Sequence, residues 1–136
     1  MDKPKPVPVA LIVCDNVYKE SRGKTALIGL FNRITVSRFP TRHSRICVYA
    51  AVTSVRPTDT YKVEFVHSET DEPAFAAEGP PPGKIDPVGI CEFTFTIDNL
   101  VLKEPGLYYV RFWGNGYPLM ERPITVAQRQ EKQAQE

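Results

Sequence analysis

The chain of 136 residues is long enough for one domain of ordinary size. Hydrophobic residues make up 42% and charged residues 24%, a globular balance that excludes a disordered chain. The net charge of +1 and the lack of a recognition motif predict no nucleic-acid partner. Residues 1–60 hold ten Lys or Arg against four Asp or Glu, and residues 61–136 hold seven against twelve. We expect the two halves of the chain to interleave in the fold, so that positive and negative side chains mix on the surface. The uneven distribution would also fit a basic face that holds an anion.

Three cysteines, Cys14, Cys47 and Cys91, lie far apart in apolar runs. None forms a C-x-x-C pair, so we expect neither a disulfide framework nor a zinc site, and no cofactor. Buried reduced thiols favour a cytoplasmic protein. The apolar run 7–14 is too short for a signal peptide, and no run approaches the ~18 apolar residues of a membrane span, so we expect no membrane partner.

Period-two alternation of apolar residues dominates the middle of the chain. Residues 1–6 predict an extended proline-rich arm, residues 7–126 the folded domain, and residues 127–136 a polar tail that is a frayed helix or disordered. The regular spacing of seven or eight short strands predicts an all-β fold, an immunoglobulin-like antiparallel two-sheet sandwich. The predicted core includes Ile28, Leu30, Val48, Phe65, Phe93, Phe95, Tyr108 and Val110.

Individual segments carry more local predictions. Residues 25–36 are apolar on both faces, which predicts a central strand, and Gly29 within it predicts a bulge or a close approach of another segment. Residues 57–59 have turn chemistry and predict a hairpin between strands 46–55 and 61–67. Gly106 and Tyr108 predict a corner in which the tyrosine ring enters the core and its hydroxyl binds a backbone group. Residues 114–116 (Gly-Asn-Gly) predict a tight hairpin turn.

The candidate polar site is the Arg- and His-rich segment 33–45. Four arginines and a histidine fall within thirteen residues, and guanidinium groups bind phosphate or carboxylate through two hydrogen bonds. The predicted anion-binding residues are Arg38, Arg42, His43 and Arg45. The alternative is a solvated loop that keeps one end of a sheet soluble.

The sequence offers few candidate catalytic residues. His43 and His67 are the only histidines, and no local signature such as G-x-S-x-G marks a nucleophile. The acidic residues Glu69, Asp71 and Glu72 share a turn, but their spacing lacks the glycine and terminal glutamate of a calcium loop. No residue is therefore assigned a catalytic or metal-binding role.

Aromatic residues cluster around the last predicted hairpin. Alternation puts Tyr109, Arg111 and Trp113 on one face of strand 107–113, and aromatic residues with arginine are typical of protein interfaces. A strand with an exposed edge is also a template for pairing. We therefore expect a homodimer or a larger partner complex that buries part of the hairpin 107–126, with Tyr109, Arg111 and Trp113 at the interface and Tyr109 and Trp113 as its anchors. The alternative is a monomer in which both faces of the strand are internal.

Residues 9–15 (VALIVCD), residues 23–32 (GKTALIGLFN), Phe39-Pro40 and Gly106-Leu107-Tyr108 resemble an uncharacterised bacterial family of small β-sandwich proteins with a domain-of-unknown-function label. The resemblance implies the fold and a bacterial source, and it carries no activity or catalytic residues. The sequence as a whole predicts a non-enzymatic binding or structural module that acts through protein–protein contacts. The alternative is a small enzyme or an anion-binding protein that uses segment 33–45.

Overall fold

A computed structural model describes residues 3–130, and these residues form an all-β structure without helices. None of them therefore belongs to a helix that could span a membrane. The described residues form nine strands, one or two more than the sequence predicts. They are β1 (Val7–Lys19), β2 (Thr25–Leu30), β3 (Arg33–Val36), β4 (Thr41–Thr53), β5 (Tyr61–His67), β6 (Pro73–Gly79), β7 (Ile90–Leu102), β8 (Gly106–Gly114) and β9 (Tyr117–Gln128).

The strands form two sheets. The four-stranded sheet has the order β2-β1-β4-β7, and the five-stranded sheet has the order β3-β9-β8-β5-β6. The prediction of two sheets is confirmed, but the prediction that they are antiparallel throughout is wrong. The short strand β3 runs parallel to β9, with Ile34 opposite Val126. The predicted strand 25–36 is in fact two strands, one in each sheet, because the chain crosses between the sheets after Leu30.

The four-stranded sheet curls into a half-barrel. β1 pairs with β4 only as far as Cys14 opposite Cys47, then bends away to pair with β2. The β1–β2 hairpin folds over the face that points away from the other sheet, so that the Thr25 hydroxyl of edge strand β2 donates to Glu92 on the opposite edge strand, β7, at 2.8 Å. Both faces of β4 are therefore buried: Val48 packs in the main core, and Cys47 lies under the hairpin.

The main core lies between the sheets and is rich in aromatic rings. Phe93 contacts Tyr61 and Phe112, with ring centroids 4.7 and 5.4 Å apart. Of the predicted core residues, Val48, Phe65, Phe93, Tyr108 and Val110 are buried, and Phe95 is partly buried against them.

Two predicted core residues are placed wrongly. Ile28 is 52% exposed and Leu30 is 60% exposed. The prediction of a central strand for this segment fails because β2 is the edge strand of the curled sheet, so one of its faces is open to solvent. The prediction of a close approach at Gly29 is confirmed: the glycine has a φ of +75°, and a β-carbon there would lie 2.9 Å from Cγ of Asp15.

Of the two turns predicted from sequence, the one at residues 114–116 is confirmed and the one at residues 57–59 is wrong. Asn115 and Gly116 have positive φ angles of 52° and 82° and close the β8–β9 hairpin as expected. Residues 57–59 do not close a hairpin, because β4 and β5 belong to different sheets. Asp59 is buried there instead, where it accepts hydrogen bonds from the Tyr61 hydroxyl at 3.0 Å and the Asn115 side-chain amide at 2.9 Å.

The predicted tyrosine corner is confirmed. Tyr108 is buried, and its hydroxyl donates to the carbonyl of Glu104 at 2.6 Å. At the N-terminal end, Pro6 is buried and the Pro4 carbonyl accepts a hydrogen bond from Asn115, so the arm packs on the β8–β9 turn. The first two residues of the predicted tail 127–136 belong to β9, which continues to Gln128 and pairs there with β3, and residues 131–136 lie outside the described residues.

Candidate anion-binding site

A cleft opens where β1 leaves β4. Because β1 pairs with β4 only up to Cys14, the first part of β4, from Thr41 to Arg45, has β7 on one side and no β1 on the other. The bend of β1 at Asp15 and the crossing at Phe31 border the resulting cavity of about 290 Å³. We call it the arginine–histidine cleft; its polar lining consists of Asp15, Arg33, Thr35 and His43.

His43 is the one predicted anion-binding residue that lines this cleft. Its half-buried ring lies 6.4 Å from the ring of Phe31, and it makes no hydrogen bond within residues 3–130. Arg33 begins β3 on the other side of the cleft and is exposed. The Asp15 carboxylate lies against Gly29. The cleft is therefore lined by one carboxylate, from Asp15, and by the side-chain nitrogens of Arg33 and His43.

Exposed arginines surround the cleft and the adjoining β3–β4 loop. Arg38 lies in the loop, and Arg42 lies next to His43 on β4, where alternation turns it to the opposite face. Arg129 joins them because its amide donates to the Val36 carbonyl at 2.6 Å. We call Arg33, Arg38, Arg42 and Arg129 the arginine rim. All four are exposed, and none has an ion pair or side-chain hydrogen bond within the described part of the chain.

Arg45 differs from the other predicted anion-binding residues. Its Nε donates to Asp98 on β7 at 3.1 Å. That hydrogen bond and the charge of Asp98 raise the pKa of the Arg45 guanidinium. The arginine is thus already paired with a carboxylate, and a second anion would have to compete with it.

Sequence reasoning missed two residues of this region. Asp15 follows the apolar run 9–14 within β1 and belongs to no recognisable motif, and only the bend of β1 brings it to the cleft. Arg129 is 91 positions from Arg38, and only the parallel β3–β9 pair brings them together. No local pattern in the sequence could have indicated either neighbour.

The three predicted interface residues lie on the outer face of the five-stranded sheet and are half-buried. The Arg111 guanidinium bonds Asp71 at 2.8 Å and Glu121 at 3.2 Å, and it lies 5.6 Å from the ring of Tyr109. Trp113 donates from its indole nitrogen to Glu64 at 2.8 Å. The assignment of these residues to an interface stays a prediction.

The edge argument behind that assignment is wrong for β8, which lies between β5 and β9. For β9 the result differs along the strand, because the short strand β3 pairs only with residues 125–128. Residues 117–124 of β9 pair with β8 on one side and have no ladder partner among the described residues on the other. The hairpin therefore offers a contact face and, along the first part of β9, an unpaired strand edge.

His67 lies in a second cavity, of about 330 Å³, at the β7–β8 corner. Its Nδ1 accepts from the Glu69 amide at 3.2 Å, and its Nε2 lies 3.3 Å from both the Pro105 carbonyl and the Glu104 carboxylate. Within residues 3–130, no serine, threonine or cysteine side chain bonds to the ring. The buried histidine therefore joins the β5–β6 turn to the corner of Tyr108.

Comparison with protein families gives a match over residues 9–127 to a family of unknown function, DUF6941. The chain belongs to that family. The expectation of an uncharacterised family is thereby confirmed, and no curated protein matches the chain. The family model covers all nine strands except the first two residues of β1 and the last residue of β9.

Among solved structures, the chain is similar to Pseudomonas fluorescens alkylpurine DNA glycosylase AlkC bound to DNA containing an abasic site analog. The TM-score is 0.52 at 13% identity, over 90% of this chain and 30% of that one. The similarity is one of fold, and the DUF6941 chain spans less than a third of the glycosylase. From the sequence we expect the partner to be another protein or a second copy of this chain, and we expect no nucleic acid. The similarity overturns that expectation, because a chain with a similar fold is bound to DNA.

Proposed function

We propose that this chain is a non-enzymatic binding module that holds the phosphate groups of a nucleic acid through the arginine rim and the arginine–histidine cleft. One observation carries the proposal: four exposed arginines at one end of the molecule have no partner within residues 3–130. Elsewhere, Arg111 is held by Asp71 and Glu121, and Arg122 donates to the Leu11 carbonyl at 3.0 Å. Arg22 and Arg56 are also exposed without a partner among residues 3–130, but each is a single arginine in a different loop.

The chemistry of the rim suits phosphate. A guanidinium group presents several N–H donors in a plane and binds two phosphate oxygens at once. Arg33, Arg38 and Arg42 come from the basic half of the chain, and Arg129 adds a fourth positive charge. A run of such charges over one surface fits a backbone with a phosphate at each nucleotide better than it fits a single small anion.

His43 and Asp15 extend the surface inward. The histidine offers ring nitrogens that no other described residue uses, and the Asp15 carboxylate is an acceptor for amino or hydroxyl hydrogens. The cleft can therefore take a sugar or base edge while the rim holds phosphates. The fold similarity to part of a DNA-bound protein supports this class of ligand, and no residue is carried over from it.

Two finer assignments accompany the proposal. We propose that the fold is a variant of the immunoglobulin-like sandwich, because the Tyr108 corner is typical of that architecture and the additional β3–β9 pair is an elaboration. We also propose a cytoplasmic protein, because Cys14, Cys47 and Cys91 are free thiols. The bacterial source is proposed from the family resemblance alone.

The test is binding of fluorescein-labelled 20-nucleotide single-stranded and double-stranded DNA, followed by anisotropy over a series of salt concentrations. We expect dissociation constants of about 1–100 μM and a linear fall of log K with log salt concentration. Changing Arg38 or Arg42 to Ala should reduce that slope by about 1, because each variant neutralises one phosphate fewer than the native chain.

Arg56→Ala is the matched control. Arg56 is exposed and its side chain bonds to no residue within 3–130, but it follows β4 at the far end, roughly 40 Å from Arg42. Its removal should leave the slope unchanged. Absence of binding at 50 mM salt, or an equal effect of Arg56→Ala and Arg42→Ala, would contradict the proposal.

A further inference from the structure

Cys14 and Cys47 face each other across two neighbouring strands. They are directly opposite in the antiparallel β1–β4 register, and both carry free thiols. Opposite residues of an antiparallel pair have Cα atoms about 4.5–5.5 Å apart and side chains on the same face. A disulfide needs Cα atoms about 4.4–6.8 Å apart, so the backbone already meets that requirement.

Each sulfur now makes a weak contact elsewhere. The Cys14 thiol donates to the Asn16 carbonyl at 3.4 Å, and the Cys47 sulfur lies 3.9 Å from the Thr96 hydroxyl. Burial raises the pKa of the Cys14 thiol, and the neighbouring Cys47 raises it further. Rotation about the two Cα–Cβ bonds would exchange these weak contacts for a sulfur–sulfur contact without moving either strand.

The β1–β2 hairpin controls access to both sulfurs. Cys14 on β1 is fully buried and Cys47 on β4 is 4% exposed, although both lie on the face of the β1–β4 pair that points away from the main core. The hairpin is held over them by Glu92, which accepts from Thr25 at 2.8 Å and pairs with Lys19 at 3.1 Å. A reagent reaches the thiols only when these contacts open.

We propose that Cys14 and Cys47 are an oxidation site that closes into a disulfide by reaction with a small disulfide such as oxidised glutathione, gated by the β1–β2 hairpin. One cysteine loses its proton and attacks the reagent, releasing a first glutathione thiol. The second cysteine then loses its proton and attacks the mixed disulfide at the protein sulfur, releasing a second glutathione thiol. Two protein thiols are thus oxidised by two electrons, and one glutathione disulfide is reduced.

The bond would fix β1 to β4 at the border of the arginine–histidine cleft. It closes a loop from residue 14 to residue 47 that contains β2, β3 and the β3–β4 loop. Reversible disulfides in the cytosol are typically redox-sensing, which is the role this pair fits.

The experiment incubates the full chain with oxidised glutathione under native conditions and follows free thiols and mass. We expect the thiol count to fall from three to one, and a digest to contain a peptide linking Cys14 to Cys47. Cys14→Ala and Cys47→Ala should each abolish that link, whereas Cys91→Ala should keep it. Circular dichroism checks that each variant is folded.

Glu92→Gln tests the gate. Weakening the contacts that hold the hairpin should speed formation of the link several-fold without changing its position. Formation of the Cys14–Cys47 link only in urea would overturn the proposal, as would modification of Cys91 alone. An unchanged rate in Glu92→Gln would overturn the gating by the hairpin.

Discussion

The Tyr49 hydroxyl on β4 donates a hydrogen bond to the Glu92 carboxylate on β7, inside the curl of the four-stranded sheet. Glu92 also accepts hydrogen bonds from Thr25 and Lys19 of the β1–β2 hairpin, so this one carboxylate on β7 joins β4, the end of β1 and the start of β2. Burial, and then the bond to Glu92, raise the pKa of Tyr49, and the same bond lowers the pKa of Glu92. Glu92 therefore helps to close the half-barrel, together with the β1–β4 and β1–β2 pairings.

Tyr49→Phe should lower the free energy of unfolding by about 1–2 kcal/mol, because one hydrogen bond to a charged group is removed while Glu92 keeps its other partners. Urea titration followed by tryptophan fluorescence measures the change. Tyr18→Phe is the matched control, since Tyr18 is 52% exposed and its hydroxyl makes no hydrogen bond within residues 3–130. It should change stability by less than about 0.5 kcal/mol. Equal effects of the two substitutions would contradict the role of Tyr49.

The contribution of Glu92 should depend on pH. Its pKa is lower in the folded chain than its ordinary value of 4.5, so the extra stability is present above that value and is lost as pH falls through the folded pKa. The difference in stability between the native chain and Glu92→Gln should be constant from about pH 7 to 5 and should shrink below about pH 4.5. A difference that is still full at pH 3 would argue against this titration.

Gly106→Ala should destabilise the chain by about 3 kcal/mol, because the strain of a positive φ in alanine adds to a steric clash with His67. Gly106 has a φ of +139°, and a β-carbon there would lie 2.8 Å from Nε2 of His67. Gly23→Ala is the control: Gly23 has a φ of +86° but open space around it, so only the backbone cost of about 1 kcal/mol applies. Thermal unfolding of both variants checks the order, and a larger loss of stability for Gly23→Ala would refute the steric argument.

Phe93→Ala should cost about 3–5 kcal/mol, because the ring is buried between Tyr61 and Phe112. Leu30→Ala should cost less than about 0.5 kcal/mol, because Leu30 is 60% exposed on an edge strand. Denaturant midpoints of the two variants measure both. A large loss of stability at Leu30 would mean that β2 is central, as its apolar pattern indicates.

Local chemistry explains which parts of the fold are predictable. The β8–β9 turn and the Tyr108 corner depend on residues within a few positions of each other, and the sequence predicts both. The exposure of Ile28 is not predictable, because an apolar strand has the same pattern whether it lies at the centre or at the edge of a sheet.

In the candidate anion-binding site, too, features set by residues close in sequence are predictable, and features set by distant residues are not. The density of arginine in segment 33–45 is visible in the sequence, but the pairing of Arg45 with Asp98 depends on a cross-strand register 53 positions apart. The opposite orientations of Arg42 and His43 follow from alternation once β4 is known to extend back to Thr41. A sequence pattern can therefore indicate the segment without showing which of its side chains are available.

The parallel pairing of β3 with β9 has a consequence for the order of folding. During synthesis, each residue of β3 emerges 92 residues before its partner on β9, as for Arg33 and Thr125, so the contacts of β3 are among the slowest to form. A chain that stalls before β9 would leave β3 as an unpaired strand and Arg38 without Arg129 beside it. Assembly of the arginine rim is thus a late event in the folding of these nine strands, and binding through it would report that β9 has joined the sheet.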